Sequence, residues 1–191
     1  MLINSFLNYL QFERNYSQKT INSYRVDLVQ IERYAKGCSE ELTLTSIDAD
    51  IIRQWIISLM GKGYTASSVN RKLSSLRSFY KFLLIKKEIS SDPTRKVTGP
   101  KKKKPLPVFL KETEMNKLLD ETDYKKGFIG ERDRMIIEMF YATGIRLSEL
   151  IGLNDVDINF EDSLIKVTGK RNKQRLIPFG NELKESMFKY I

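Results

Sequence analysis

The sequence predicts a mainly α, two-domain protein, with a four-helix bundle followed by an α+β domain that carries a small antiparallel sheet. Three observations predict it. Apolar residues recur at helical spacing through the first 88 positions, and a proline- and lysine-rich stretch interrupts that pattern at 89–107. Two-residue apolar alternation then appears only after position 155.

The first helix is expected over 2–14 and the second over 17–36, where Ile21, Tyr24, Leu28 and Ile31 fall three or four apart on one face. The third, over 48–60, has Ile52, Ile56 and Leu59 as its apolar stripe, and the fourth, over 65–87, has Val69, Leu73, Leu76, Tyr80 and Leu83. Ser17, Asp48 and Thr65 stand just before the last three of these helices, and each offers a side-chain oxygen to first-turn amides that have no partner within the helix. Gly37, Gly61 and Gly63 supply the stops. Loops this short leave neighbouring helices no choice but to pack as a bundle.

The stretch ISSDPTRKVTGPKKKKPLP, residues 89–107, carries four of the five prolines and offers little that could enter a core, so it reads as a linker. Between 86 and 107 there are eight basic and two acidic residues, which account for +6 of the net +9. Helices are expected next over 110–119 and 130–141, the second stopping at Gly144, and a short one over 146–151. Strands are expected near 156–159, 163–168 and 174–178, and a last amphipathic helix runs from Asn181 to Ile191. No internal repeat is visible.

The chain has 33 Lys and Arg against 24 Asp and Glu, a balance that favours a polyanionic partner: nucleic acid, or an anionic membrane surface. No apolar run approaches the roughly 20 residues of a spanning helix, and the start has neither a basic flank nor a small-residue cleavage site, so a cytoplasmic location is expected. The single cysteine, Cys38, makes no internal disulfide and reads as structural. Histidine is absent, which removes imidazole as acid, base or metal ligand from these residues. Chemistry here has to use Arg, Lys, carboxylate or hydroxyl groups.

The fourth helix is expected to turn Arg71, Ser74, Ser75, Ser78 and Lys81 away from its apolar stripe, with Lys72 and Arg77 adding positive charge. Serines keep such a surface low and donate hydrogen bonds while the cations neutralise phosphates. Lys19, Thr20 and Arg25 offer the same on the second helix, and Lys173 on a hairpin of the second domain. Taken alone, such a helix face is an ordinary solvated surface, and Lys101, Lys102, Lys103 and Lys104 are an ordinary solvated charge run. Set between two folded domains, the run reads as a flexible basic tether that follows phosphates and adds affinity without sequence choice.

The sharpest signal is ATGIRLSELIGLNDVDI followed by VTGKRNKQRLIPFG. Arg146 stands just after a glycine turn at a helix start, and Lys170 stands in a hairpin turn after Gly169. Each by itself is an unremarkable surface residue. In this order and spacing the two segments resemble the tyrosine recombinase and phage integrase family, and its Xer-type site-specific recombinases in particular. The similarity runs through nearly the whole chain. SQKTINSYRVDL looks like the family's first-domain motif, with Ser17, Thr20, Tyr24, Asp27 and Leu28 in place, and SSVNRKLSSLRSFYKFL resembles its last core-binding helix.

The resemblance implies a SAM-like core-binding domain at 1–88, a linker at 89–107 and the truncated N-terminal half of an integrase catalytic domain at 108–191. In that family the two domains close around double-stranded DNA, and a tyrosine attacks a phosphodiester. A 3′-phosphotyrosyl link forms and a 5′-hydroxyl leaves, without metal or nucleotide cofactor. Arg146 matches the family's first catalytic arginine and Lys170 the lysine that protonates the leaving oxygen, while Glu149 is expected to hold local structure. The family's His-x-x-Arg segment, its later His or Trp and its nucleophilic tyrosine have no counterpart in these residues. Tyr190, only twenty positions after Lys170, is not expected to serve as nucleophile. The chain is therefore expected to bind DNA without cleaving it, as an engineered or natural fragment of a parent that assembles as a tetramer on two DNA sites. The alternatives are a non-enzymatic DNA-binding protein, such as a shortened integrase that occupies sites or poisons assembly, and a basic membrane-surface protein.

Overall fold

Ser17, Asp48 and Thr65 start helices as expected. In the computed structural model, which describes residues 2–103, 106–169 and 172–191, Ser17 accepts from the Thr20 amide, Asp48 from those of Asp50 and Ile51, and Thr65 from that of Ser68. The helices they open are α2 (Gln18–Cys38), α3 (Ala49–Gly61) and α4 (Ala66–Ile85). Before them α1 (Leu2–Asn8) runs on through a π-helical turn, Tyr9–Glu13. Gly37 does not stop α2 but lies within its last turn, whereas Gly63, at φ +82°, takes the left-handed conformation just past α3. Cys38 is exposed at the end of α2.

The chain divides into two units, Met1–Pro105 and Leu106–Ile191, each with its own core. In the first, the stripes anticipated from periodicity meet. Leu28 and Ile31 of α2, Ile52 and Leu59 of α3, and Leu73, Leu76 and Leu83 of α4 are all essentially solvent-free. Each contributes about 2 kcal/mol by leaving water. Phe6 of α1 sits 5.4 Å from the ring centroids of both Phe79 and Phe82, and Trp55 fills the α3 side. The Tyr80 hydroxyl, buried in this core, donates to the Leu44 carbonyl at 2.7 Å and so enters without a desolvation penalty left open.

Residues 89–100 correct the linker reading. Pro93–Lys96 is a 3-10 turn capped by Asp92, Thr94 is buried, and Val97 joins the core of the first unit. Three backbone carbonyls of the segment accept from side chains of the bundle: Lys96 from Arg53, Val97 from Arg77, and Pro100 from Asn70. With these carbonyls paired, the segment is part of the bundle.

In the second unit α5 (Glu112–Asn116) continues as a π-helical turn at Lys117–Glu121 and is followed by α6 (Phe128–Thr143) and α7 (Leu147–Ile151). Gly144 ends α6 in the left-handed region, at φ +59°, and its amide donates back to Phe140. Three antiparallel strands follow, β1 (Ile158–Asn159), β2 (Leu164–Thr168) and β3 (Gln174–Pro178), in the order β1-β2-β3, and then α8 (Asn181–Tyr190). Ile165 pairs with Ile177 and Val167 with Arg175, so Ile165, Val167 and Ile177 face Met139, Leu183 and Met187 in the core.

Candidate nucleic-acid interface and phosphate site

In the first unit the site is built on a buried carboxylate. Asp27, on α2, is 1% exposed and receives four hydrogen bonds from α4. Arg71 donates through both terminal nitrogens at 2.6 and 2.9 Å, Lys72 through Nζ at 3.0 Å, and Ser75 through Oγ at 2.7 Å. Burial pushes the Asp27 carboxyl upward, but the hydrogen bonds from Arg71, Ser75 and Lys72 outweigh it, and the net shift is downward. One anion thus faces two cations. The fork of Arg71 is oriented by a bidentate pair while half of its side chain stays in solvent, free to meet a phosphate.

This geometry corrects two expectations. Lys72 is buried, bonded to Asp27 and set 5.4 Å from the Tyr64 ring, so it is no phosphate contact. Position 72 lies three residues after Val69 and four before Leu76, which puts it on the apolar stripe itself. Ser75 likewise points inward.

The other expected contacts remain at the surface. Arg71, Ser74 and Lys102 come together with Ser67, Ser68 and Asn70 around one open concavity on α4. Lys81, Lys19, Lys101 and Lys103 are exposed. Arg25 reaches Asn4 at 3.1 Å, Thr20 pairs its hydroxyl with that of Ser17, and Arg77 holds the Val97 carbonyl while its residue stays exposed. Lys104 lies outside the described residues.

In the second unit the pattern repeats with a different carboxylate. Arg146 caps α7, its amide donating to Glu149 Oε2 at 3.0 Å and its Nη1 to Oε1 at 2.7 Å. Arg175 of β3 donates to the same Oε2 at 2.8 Å. The Glu149 side chain is 1% exposed, yet both guanidiniums reach solvent, at 64% and 40%. The Arg146 amide, the Arg146 side chain and the positive charge of Arg175 hold the Glu149 carboxyl below its ordinary value, against the opposing push of desolvation. Glu149 therefore holds local structure.

Lys170 lies outside the described residues, but its neighbour Gly169 is placed. A methyl group at Gly169 would lie 2.8 Å from Glu149 Oε1 and 3.9 Å from Arg146 Nη1, so the β2–β3 hairpin passes directly beside the Arg146–Glu149 pair. Lys173 is exposed on that hairpin, its carbonyl accepting from the Gly169 amide. Arg175 is the residue that sequence reasoning missed. Two residues from buried Ile177 and opposite buried Val167, it is a charge at an inward-facing strand position, and such a charge needs an internal partner.

A sequence model of the phage integrase N-terminal SAM-like domain matches residues 3–87, and that of the phage integrase family matches residues 108–191. The chain belongs to the phage integrase family. This integrase-family chain is 41% identical over 187 residues to a tyrosine recombinase XerC of Staphylococcus carnosus, across 98% of its own length and 62% of the relative's. It is 38% identical over 189 residues to the XerC of Anoxybacillus flavithermus, again across 62% of that protein. It thus spans less than two thirds of the curated relatives it matches. Among solved structures it superposes on a Tn1549 transposon integrase in complex with transposon right end DNA, with a TM-score of 0.77 and 17% identity, over 98% of the chain and 64% of the integrase. A lambda integrase tetramer bound to a Holliday junction gives a TM-score of 0.76 at 19% identity, over 98% and 52% respectively. These likenesses show an integrase fold: a SAM-like helical unit and a portion of the catalytic domain with its small antiparallel sheet. Among the described residues no helix is long and apolar enough to cross a membrane.

Proposed function

We propose that this chain is the DNA-gripping portion of a tyrosine-type site-specific recombinase, and that by itself it binds double-stranded DNA without cutting it. One observation supports this most: a buried carboxylate, Glu149, fixes two solvent-reaching guanidiniums beside the hairpin that carries Lys170. In phosphoryl transfer, negative charge gathers on nonbridging oxygens, and a guanidinium already held in place stabilises that charge without reorganising. Arg146 fills this role in the parent recombinase, and the Lys170 ammonium gives its proton to the departing 5′ oxygen. The bond from the tyrosine oxygen to phosphorus forms as the bond to the 5′ oxygen breaks; the tyrosine gives up its proton and the 5′ oxygen takes one from Lys170, so one ester is exchanged for another without consuming a nucleotide.

Within these 191 residues there is no histidine, and the chain spans 62% of its XerC relative. On this reading Arg146 and Lys170 are the first arginine and the hairpin lysine of the family's catalytic centre. The DNA partner, and assembly of the parent as a tetramer on two sites, follow from the same family reading and from the DNA-bound integrases it superposes on.

The test uses selection from randomised duplexes, followed by titration of the recovered site against salt and incubation with a nicked suicide version of it. Recovery of one shared sequence, an affinity that falls steeply with salt, and no covalent adduct on a denaturing gel are expected. Binding that ignores salt removes the phosphate argument, and an adduct shows a nucleophile within the chain. In the full-length parent, Arg146→Ala abolishes the covalent complex and leaves site binding nearly intact. A parent that never forms such a complex points instead to a non-enzymatic site occupier.

A further inference from the structure

Composition describes the lysine run as a free tether, but the structure anchors its root. The amide of Asn70, on α4, donates one hydrogen to the Ala66 carbonyl at 2.7 Å and the other to the Pro100 carbonyl at 2.8 Å, so both are occupied. Gly99 presses so closely against this amide that a methyl group there would collide with Asn70 Oδ1 and touch Leu73 Cδ2 at 3.4 Å. Arg77 and Arg53 hold the carbonyls just upstream, at Val97 and Lys96. Two residues past the last anchor, Lys102 shares a concavity with Arg71 and Ser74.

We infer that Asn70 and Gly99 are positioning residues that pin the root of the basic run onto α4, so that Lys102 and Arg71 meet a DNA backbone phosphate as a preformed pair. The inference rests on the DNA-binding reading above and goes further, because it gives one segment of that interface a defined geometry. A lysine on a free tether pays an ordering cost each time it settles on a phosphate, whereas a lysine whose backbone is already fixed loses only side-chain freedom. Arg71 is prepared in the same way, by its bidentate hold on Asp27. Neither Asn70 nor Gly99 touches the phosphate; both act through Lys102.

The experiment follows the full 191-residue chain by fluorescence anisotropy on a labelled duplex across a salt series, with circular dichroism to confirm the helical content of each variant. Lys102→Ala lowers the slope of log K against log salt by about 1, the change that follows when a single phosphate is no longer neutralised. Asn70→Ala brings affinity down to the level of Lys102→Ala, and the double variant is no weaker than either single one, because the pin works only through that lysine. Gly99→Ala reproduces Asn70→Ala, because its methyl group collides with Asn70 Oδ1 and pushes the segment off α4. In the absence of DNA, trypsin cuts Lys101–Lys103 faster in both pin variants than in the unaltered chain. Should Asn70→Ala lose its fold, Gly99→Ala decides the matter alone. Pin variants that bind and resist trypsin like the unaltered chain, or effects that add to that of Lys102→Ala, show a free tether and overturn the inference while salt-dependent binding persists. A chain that binds no duplex, or binds without regard to salt, overturns the DNA reading itself.

Discussion

Asp27 satisfies three α4 side chains with one carboxylate, and the cost of removing it is set by the buried cation among them. Lys72 is only 6% exposed at its side chain, so Asp27→Asn strands a buried ammonium without its counter-charge. Stranding one charge of a buried pair costs about 3–5 kcal/mol, whereas removing Lys72 strands nothing, because Asp27 still accepts from both terminal nitrogens of Arg71 and from Ser75. Urea unfolding of the first unit is therefore expected to show a large loss for Asp27→Asn and a much smaller one for Lys72→Met. Equal losses would show that Asp27 stabilises through packing alone. The same carboxyl sets an acid limb. Its folded value lies below 3.8, so the unfolded chain takes up the proton first, and stability rises with pH in that window. The contribution is complete above the ordinary carboxylate range, is lost as pH falls through the depressed value, and is absent in Asp27→Asn. Glu149 makes a parallel case in the second unit. Glu149→Gln keeps the shape but turns one acceptor into a donor facing two guanidiniums, so in the parent recombinase proposed above the covalent complex is expected to form more slowly, though less so than after Arg146→Ala. A rate equal to the parent's would leave Glu149 without a role in aiming Arg146. The cationic partners of both carboxylates are half legible in the sequence. Lys72 falls on an apolar helical stripe and Arg175 on an inward strand position, and a charge at core parity announces a buried counter-ion. Which carboxylate answers it is not written in local spacing, because Asp27 and Glu149 lie 45 and 26 residues away.

At the level of elements, the hairpin that follows β2 owes its position to an absent side chain. Gly169→Ala would drive a methyl group to 2.8 Å from Glu149 Oε1, and Glu149, already gripped by two arginines, has little room to retreat. Overpacking of this kind costs about 1–3 kcal/mol. Thermal unfolding of the second unit is expected to show that loss, and a variant as stable as the parent would mean the hairpin sits looser than its geometry implies. Helix starts were legible because a cap is local: an oxygen at 17, 48 or 65 meets an amide two or three residues on. The β strands were legible for the same reason, through alternation and a turn. The segment at 93–100 was not. Its prolines, glycine and lysine have the composition of a linker, and the groups that fix it, Arg53, Arg77 and Asn70, lie between 20 and 43 residues away. Backbone carbonyls satisfied by distant side chains leave no periodic trace, so composition alone reads order as freedom.

Over the whole molecule, two cores of unequal quality share one chain. The first draws leucines, isoleucines and aromatic rings from four helices, while the second is smaller and rich in methionine, and it leaves much apolar surface in water. Leu147, Ile151 and Val156 are 63%, 77% and 89% exposed, and Met135, Met139, Leu150 and Leu153 line an open apolar depression. Apolar area still in contact with water contributes nothing to folding, so Leu106–Ile191 is expected to unfold at a lower temperature than Met1–Pro105. Hydrogen exchange checks this directly: amides of α6 and α8 exchange well before those of α2 and α4, and a single transition with uniform protection would contradict it. On the DNA-binding function proposed above, duplex raises the transition of each unit that it touches. A ligand present at a hundredfold its Kd stabilises the part that binds it by about 2.7 kcal/mol. With Arg71, Ser74 and Lys102 on the first unit, duplex at low salt therefore raises the upper transition. Because the proposed contact is with phosphate, that rise fades as salt is added. An upper transition that ignores duplex at every salt concentration would place the main DNA contact elsewhere than on α4.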